Sequence, residues 1–426
     1  MARDSVTGGG VLGTARQRAA EQQALRIFGS APVAAAMART AALYRSTSNA
    51  QLPDQDALIQ RSVREQYFHA ALMAAGEDPA EAGFIWSIAP EHAWLGLKVP
   101  GSRFGQDNPD TCYRFASVDP ARRYRISGRF AAPPLCDFSI CALPGQVGDG
   151  FISDVLAILK REDLDIDAAG RFTASIDASP TAGRRNHLCI AGARTLQVRD
   201  TLADWNAERP TWLELSTSDA PAAAAAPAWS LEAACARAAQ LGHTIAALFL
   251  ERVQRAMFEC QPLNTISAPC ASGGRGGLVT QMAALGWYRL ADDEALVIDA
   301  DRLGARYVGI QVVDLWLVSH EYRHRSSSLN HCQAVPDADG RYRWVIARRD
   351  PGVHNWLDCE GHASGDVLLR WQHVPEGAAT AGAVRADLVK IDALRRRLPP
   401  GTRYVTAAER AALHEHRRRG YLVRLE

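Results

Sequence analysis

The C-terminal third of the chain concentrates side chains that could carry out proton chemistry. His331 and His362 could each take up or release a proton, and Tyr322 could polarise a substrate oxygen through its hydroxyl group. Arg323 and Arg370 could hold an oxyanion or a carboxylate. These residue types suit acid/base catalysis without a metal, and we predict that these five residues are catalytic.

The same segment carries residues typical of small-molecule sites, in which a mainly apolar wall presents a few polar groups. We expect both sets of residues to face one shared hollow in the folded chain. The residues that we predict to contact a substrate are Trp316, Asn330, Asn355, Trp356 and Asp358.

A metal site is a first alternative. His354, Asp358 and His362 recur at spacings of four residues, which would place all three on one face of a helix. A continuous helix is disfavoured, because residues 350–352 form an Asp-Pro-Gly turn and Gly361 interrupts the run. We therefore predict neither a metal ion nor another cofactor.

A purely structural use of these polar residues is a second alternative, and it stays open for each of them. Asn355 and Asp358 would fix turns through hydrogen bonds from side chain to backbone. Arg370 would pair with a carboxylate, and Trp356 and Trp371 would fill the core. Such roles are common because buried polar groups need partners whether or not they catalyse.

The bulk properties of the chain narrow the class of protein. Its 426 residues suggest two or three domains of about 150 residues each. The net charge of +1 gives no reason to expect nucleic acid or an anionic membrane as a partner. We expect no secretory signal, because no apolar segment follows the basic first residues, and the most apolar stretch, residues 245–250, is far shorter than the roughly 20 residues that span a bilayer. The nine cysteines contain no CxxC pair, so we predict a cytoplasmic protein.

Residues 1–80 are expected to be helical, because segments 15–28 and 33–44 are rich in Ala, Arg, Gln and Leu and segment 61–75 carries an apolar stripe at helical spacing. We expect these helices to pack on the core or on a second subunit, which would make the protein a homo-oligomer. Residues 81–220 instead alternate short apolar and polar runs between Gly, Pro and Asp turns. That pattern is typical of an antiparallel β-sandwich.

The second half repeats this order. A Pro- and Ala-rich linker covers residues 219–227, and a helix capped by Ser230 runs to about residue 258 within the linking region 221–284. The glycine-rich residues 272–277 lack the lysine of a phosphate-binding loop, and we interpret them as a lid or hinge. Strand patterns return over residues 285–378. The remainder, 379–426, suggests basic helices at 383–397 and 407–418.

Three short matches in the same order indicate an internal duplication. Each match opens or closes a predicted strand, so we predict a mainly β fold of two tandem jelly-roll-like antiparallel β-sandwiches with N-terminal, linking and C-terminal helices. The matching pairs are residues 167–172 with 337–342, 186–188 with 355–357, and Gly192 and Arg199 with Gly361 and Arg370.

Residues 285–375 resemble the proteins that carry the domain of unknown function 1214. The resemblance implies a jelly-roll β-sandwich, often preceded by a related one, and a pocket without a settled activity. The motifs that carry it are residues 292–298, Tyr307 with Gln311, residues 314–316, 327–330, 337–340, 350–353 and 355–358, Gly361 with His362, and Arg370 with Trp371.

The function that we expect from the sequence is a metal-free lyase or hydrolase acting on a hydroxylated apolar small molecule of aromatic, terpenoid or steroid-like type. The ten tryptophans would supply the apolar wall of its pocket. One alternative is a non-catalytic protein that binds carbohydrate or another small molecule, because jelly rolls are common lectin scaffolds. Another is a structural protein assembled through its N-terminal helices.

Overall fold

The computed structural model of the chain describes residues 10–78, 81–149, 154–217, 229–273 and 278–426. The linker predicted over residues 219–227 and residues 274–277 of the glycine-rich segment lie outside these ranges. No helix in the described ranges is long and apolar enough to cross a bilayer.

A layer of four helices covers one side of the first sandwich. The Thr14 hydroxyl caps α1 by accepting from the Gln17 N–H, and the Ser230 hydroxyl caps α4 by accepting from the Ala233 N–H, which confirms the predicted Ser230 cap. The buried faces of these helices share one continuous apolar core with the first sandwich. The helices are α1 (Ala15–Phe28), α2 (Ala31–Arg45), α3 (Gln55–Ala75) and α4 (Leu231–Phe249), which continues through a π-turn at Leu250–Gln254 into α5 (Arg255–Cys260).

The first sandwich packs a five-stranded sheet, in the order β1-β4-β10-β6-β7, against a four-stranded sheet, in the order β11-β5-β8-β9. A separate hairpin joins β2 to β3. The strands are β1 (Ile85–Trp86), β2 (His92–Trp94), β3 (Leu97–Val99), β4 (Thr111–Ser117), β5 (Tyr124–Arg129), β6 (Asp137–Leu143), β7 (Ala157–Lys160), β8 (Arg171–Asp177), β9 (His187–Cys189), β10 (Thr195–Thr201) and β11 (Trp212–Thr217).

The second sandwich packs a sheet in the order β12-β14-β20-β16-β17, to which β13 adds, against a sheet in the order β19-β18-β15-β21. The strands are β12 (Thr265–Ile266), β13 (Cys270–Ala271), β14 (Gln281–Arg289), β15 (Glu294–Ala300), β16 (Tyr307–Val313), β17 (Ser328–Asn330), β18 (Tyr342–Ala347), β19 (Trp356–Asp358), β20 (Ser364–Gln372) and β21 (Val384–Lys390).

The eight strands β4–β11 and the eight strands β14–β21 follow the same connectivity, which confirms the predicted pair of tandem β-sandwiches. Each copy has one parallel pair, β8 with β9 and β18 with β19, in an otherwise antiparallel arrangement. The matched glycines also share a left-handed backbone, with φ of 77° at Gly170 and 79° at Gly340, and 78° at Gly192 and 81° at Gly361.

The helix predicted over residues 383–397 is wrong in its first half. Strand β21 pairs with β15 along its whole length, and α6 (Ile391–Arg397) begins only after it. Val384 and Ala386 pack on the sandwich core while Arg385 and Asp387 stay outside, a period of two that the basic composition masks. The second sandwich therefore extends to Lys390.

The last helix, α7 (Ala407–Leu422), bears out the prediction for residues 407–418 and begins in a capping box between Thr406 and Glu409. Its inner face ties the two sandwiches together. Arg417 donates to the carbonyl of Tyr322, and its guanidinium lies 4.2 Å from the ring centroid of Trp205 in the first sandwich.

Candidate functional site

The junction between the two sandwiches is a polar interface. It includes Asn330, one of the residues predicted to contact a substrate. The Tyr307 hydroxyl donates to Asp110 (2.6 Å), and the amide of Asn330 donates to the same carboxylate (2.9 Å). The Gln311 amide donates to the carbonyl of Asp107 (2.7 Å). Asn330 is fully buried, so its amide is committed to joining the two domains.

Arg370 also belongs to this interface. Its guanidinium donates to the Gln311 side-chain oxygen (2.8 Å) and to the carbonyl of Gln106. Burial lowers the pKa of Arg370 from its ordinary value. The structural alternative predicted a carboxylate partner for Arg370. Its guanidinium instead binds an amide oxygen and a backbone carbonyl oxygen.

Tyr322 and Arg323 each make contacts within the protein that suit a structural role. The Tyr322 ring is buried between Trp205 and Tyr421, with ring centroids 6.3 Å and 5.8 Å away. This burial raises the pKa of Tyr322 well above its ordinary value. Arg323 forms a partly buried ion pair with Glu321 (2.9 Å) and donates to the carbonyl of Glu91. Neither side chain faces a shared hollow.

The two predicted catalytic histidines lie at opposite ends of strand β16. His331 donates its backbone N–H to Val308 near the start of the strand, whereas His362 lies close to residues that follow its end at Val313. A strand of this length spans about 20 Å. The expectation that the five predicted catalytic residues surround one cavity is therefore wrong.

The remaining predicted substrate contacts serve packing and turns. The Trp316 ring stacks on Tyr44 with centroids 4.8 Å apart, and its indole N–H donates to Gln55 (3.1 Å). The Trp356 indole N–H donates to the carbonyl of Ala347 (3.0 Å). Both tryptophans are buried, so neither offers a surface to a substrate.

Asn355 and Asp358 fix turns, as the structural alternative predicts. The Asn355 amide donates to the carbonyl of Val335 (2.7 Å), and its oxygen accepts the Val335 N–H. Asp358 accepts the N–H of Glu360 (2.9 Å) and pairs with Arg325 (2.8 Å). These bonds hold the chain before and after β19.

The metal triad considered from spacing, His354 with Asp358 and His362, does not form. Residues 356–358 are a strand, so the helical spacing that would align the three side chains is absent. His354 Nδ1 instead lies 3.2 Å from the Asn355 side-chain oxygen.

A different group of side chains converges at the end of the second sandwich. His320, Glu360 and His362 place one ligand-type atom each within 4.8 Å of one another, the only such group of three found in the described ranges. His320 Nδ1 lies 3.3 Å from Glu360 Oε2, and His362 Nε2 lies 3.8 Å from the same oxygen. The two imidazole rings stack with centroids 5.4 Å apart. We call these three residues the His/Glu triad.

Two turns position the triad. Asp314 accepts the N–H groups of Trp316 and Val318 and so closes the turn after β16 that leads to His320. After β19, Glu360 and Gly361 both have left-handed backbones, with φ of 55° and 81°. This sharp reversal brings the side chains of Glu360 and His362 together.

Helix α3 supplies a cation to the triad. Arg61 donates from Nη1 to Glu360 (3.1 Å) and from Nη2 to Asp314 (3.0 Å). Partial burial opposes ionisation of Glu360, but the contacts with His320 and Arg61 outweigh it and hold the pKa of this carboxyl well below its usual range. Burial, and after it the neighbouring His320, lower the pKa of His362. At neutral pH Glu360 is thus ionised and His362 is neutral.

Sequence reasoning assigned His362 a catalytic role but missed Glu360, Arg61 and the role of His320. One signal for His320 is present, since residues 320–324 read His-Glu-Tyr-Arg-His, the spacing of a zinc-binding helix. That segment is a loop in the structure, and the His324 side chain is 53% exposed, away from the triad. Glu360 and Arg61 approach only through the tertiary fold.

A surface cleft lies elsewhere, where Arg306 of the second sandwich meets the first. This surface cleft of about 460 Å³ contains an ion pair between Arg306 and Glu162 (2.8 Å), and no predicted site residue contributes to it. It is lined by Leu135, Cys136, Arg161, Glu162, Ile166 and Arg306.

Solved structures include a protein of the same architecture. An uncharacterized protein from Burkholderia cenocepacia is 27% identical, with a TM-score of 0.73 over 88% of this chain and 99% of that chain. The VPA0106 protein from Vibrio parahaemolyticus is more distant, at 9% identity and a TM-score of 0.43 over 67% of this chain and 90% of that chain. No known protein family and no curated protein matches the chain. The likeness to the Burkholderia protein supports the β-rich fold with helices.

Proposed function

We propose that the protein is a hydrolase or lyase whose reaction takes place at the His/Glu triad. The observation that carries the proposal is the convergence of His320, Glu360 and His362 within 4.8 Å at the end of the second sandwich. Two imidazoles and a carboxylate in contact form a set suited to removing a proton from water or from a substrate hydroxyl.

The surroundings assign a role to each side chain. His362 is neutral and 21% exposed, so it can receive a proton from a group that arrives from solvent. Glu360 is anionic and stabilises the charged form of an adjacent imidazole. Arg61, at 25% side-chain exposure, holds Glu360 and Asp314 in place and balances their charge.

The substrate in this proposal is a small molecule that carries a hydroxyl or an ester group. The case for a large apolar pocket is weaker than the tryptophan count suggested, because seven of the ten tryptophans are buried in packed interiors. The alternative of a carbohydrate-binding protein has less support. Among the described residues Trp212 is the only aromatic side chain that is widely exposed, and one ring is not a platform.

Several expectations from the sequence remain proposals beside this one. The resemblance of residues 285–375 to the family of the domain of unknown function 1214 still motivates assigning the second sandwich to that family. A cytoplasmic location, and no nucleic acid or membrane as partner, fit the near-neutral charge. Oligomerisation through the N-terminal helices has less support, because their apolar faces pack within the chain.

Replacing Glu360 by glutamine should abolish turnover. The purified chain would be screened by mass spectrometry against a panel of esters and β-hydroxy carbonyl compounds. We expect wild type and His324→Ala to act on the same members, and Glu360→Gln to lose at least about 100-fold in kcat/KM, as general acid/base groups do. Equal activity in Glu360→Gln, or a panel without any hit, would contradict the proposal.

The acid limb of the pH–rate profile should report the lowered pKa of the proton acceptor. Because burial and His320 disfavour the protonated form of His362, kcat/KM should stay high on acidification until the pH passes below the ordinary imidazole value of about 6.5. Steady-state kinetics between pH 4 and 9 measure this. A limb centred above that value would argue against His362 as the acceptor.

A further inference from the structure

We infer that the His/Glu triad binds one divalent transition-metal ion of the zinc or ferrous class. What the ion would do rests on the proposed function, but whether it binds does not. The inference differs from the metal-free chemistry expected from the sequence and uses a different set of ligands from the spacing-based triad of His354, Asp358 and His362.

The donor set and its dimensions fit such an ion. Two imidazole nitrogens and one carboxylate oxygen are ligands for zinc or ferrous iron, whereas calcium and magnesium prefer oxygen alone. Bonds of about 2.1 Å at tetrahedral angles place ligand atoms about 3.4 Å apart. The Glu360 oxygen lies 3.3 Å from His320 Nδ1 and 3.8 Å from His362 Nε2, so a small side-chain adjustment would complete the geometry.

In this geometry His320 binds the ion through Nδ1, because Nδ1 is the ring nitrogen that lies 3.3 Å from the Glu360 carboxylate. Its Nε2 atom, in a fully buried side chain, has no hydrogen-bond partner in the described part of the chain. Ligation at Nδ1 would leave the ring proton on Nε2, so the ion accounts for Nδ1 and not for this unpaired atom.

The charges around the triad can accommodate a dication. Arg61, Asp314 and Glu360 sum to one net negative charge when both histidines are neutral, and the neighbouring charges pair among themselves, Arg325 with Asp358 and Arg323 with Glu321. A dication would change the net charge from −1 to +1, and an ion-bound hydroxide would bring it to zero. Arg61 can keep its bond to Asp314 while Glu360 turns to the ion.

Three protein ligands leave a coordination position open. Structural zinc sites have four protein ligands, whereas catalytic sites have three and bind water at the fourth position. Glu360 and His362 are 17% and 21% exposed, so solvent reaches this side of the triad. An ion here would lower the pKa of its water to about 7, and in the metal-bound protein this water, rather than His362, would be the base of the proposed reaction.

Calorimetric titration with Zn²⁺ tests the inference. The full-length chain, free of affinity tag and dialysed against a chelator, should bind one Zn²⁺ per chain. Glu360→Gln and His362→Ala should each weaken binding by more than about 100-fold, since even second-shell changes cost 10- to 100-fold. His324→Ala should bind like wild type. Thermal unfolding of each apo variant checks that it is folded.

The possible outcomes distinguish the metal inference from the proposed function. Loss of binding in His324→Ala with retention in Glu360→Gln would place the ion at the His-Glu-x-x-His segment and overturn the inference. Absence of one-to-one binding by wild type would overturn it as well. Zn²⁺ binding without turnover of any panel member would contradict the proposed function and leave the metal inference standing. Turnover that depends on Glu360 without bound metal would contradict the metal inference and leave the proposed function standing.

Discussion

Replacing Arg103 by methionine should lower the free energy of unfolding by about 3–5 kcal/mol, the usual effect of removing one partner of a buried ion pair. Arg103 donates to Glu65 on helix α3 from Nε (2.7 Å) and to the carbonyl of Ser319 from Nη1 (2.8 Å). The side chains of Arg103 and Glu65 are only 6% and 8% exposed. The substitution would leave the Glu65 carboxylate buried without a counter-charge.

Two further variants separate this cause from simple loss of packing. The double variant Glu65→Leu with Arg103→Met should recover most of the lost stability, because the Glu65 carboxylate is no longer buried without its counter-charge. Arg45→Met, which breaks a surface pair with Asp56 whose side chains are 46% and 63% exposed, should lower the free energy of unfolding far less than Arg103→Met does. Urea unfolding followed by tryptophan fluorescence measures the free energy of unfolding of wild type and of the three variants. A double variant no more stable than Arg103→Met would refute the assignment.

Replacing Asp366 by asparagine should instead stabilise the protein, by about 2–3 kcal/mol at pH 7. Asp366 lies on β20 between Trp287 and Val313, fully buried, and neither carboxylate oxygen has a hydrogen-bond partner in the described ranges. Burial, and after it the charge of Asp314, raise its pKa well above the ordinary value. Wild type therefore carries a carboxyl group that the fold disfavours in its ionised form.

The pH dependence of this effect has a definite sign. A carboxyl whose pKa is higher in the folded state loses stability as the pH rises from its unfolded value of about 3.9 towards its folded value. The advantage of Asp366→Asn should therefore shrink towards pH 4. Asp314→Asn is the matched control and should destabilise, because Asp314 accepts two backbone N–H groups and pairs with Arg61. A stabilisation by Asp366→Asn that is the same at pH 4 and pH 7 would contradict this account.

Local sequence patterns predicted most of the fold because the features that define it are local. The Asp/Gly turns ahead of Phe172 and Tyr342 and the left-handed Gly170 and Gly340 recur at matching points of both sandwiches. Strand β21 was missed because its alternation is hidden among basic residues and its partner β15 lies about 90 residues earlier in the chain.

The candidate site could be predicted only in part. Residue types near His362 indicated proton chemistry, and the structure does bring that side chain next to other titratable groups. His331 seemed equally suitable, yet pairing with Val308 places it at the far end of β16. Arg61 reaches the triad from helix α3, more than 250 residues away in sequence, and no pattern in a single sequence encodes such an approach.

The most direct test of the central claim is an anomalous difference map from crystals soaked with Co²⁺, recorded at the cobalt absorption edge. We predict one strong peak within about 2.3 Å of ligand atoms from His320, Glu360 and His362, with a water completing the coordination. A map without a peak at these residues, or with its only peak at His324 or His354, would contradict the claim that this triad is a metal site.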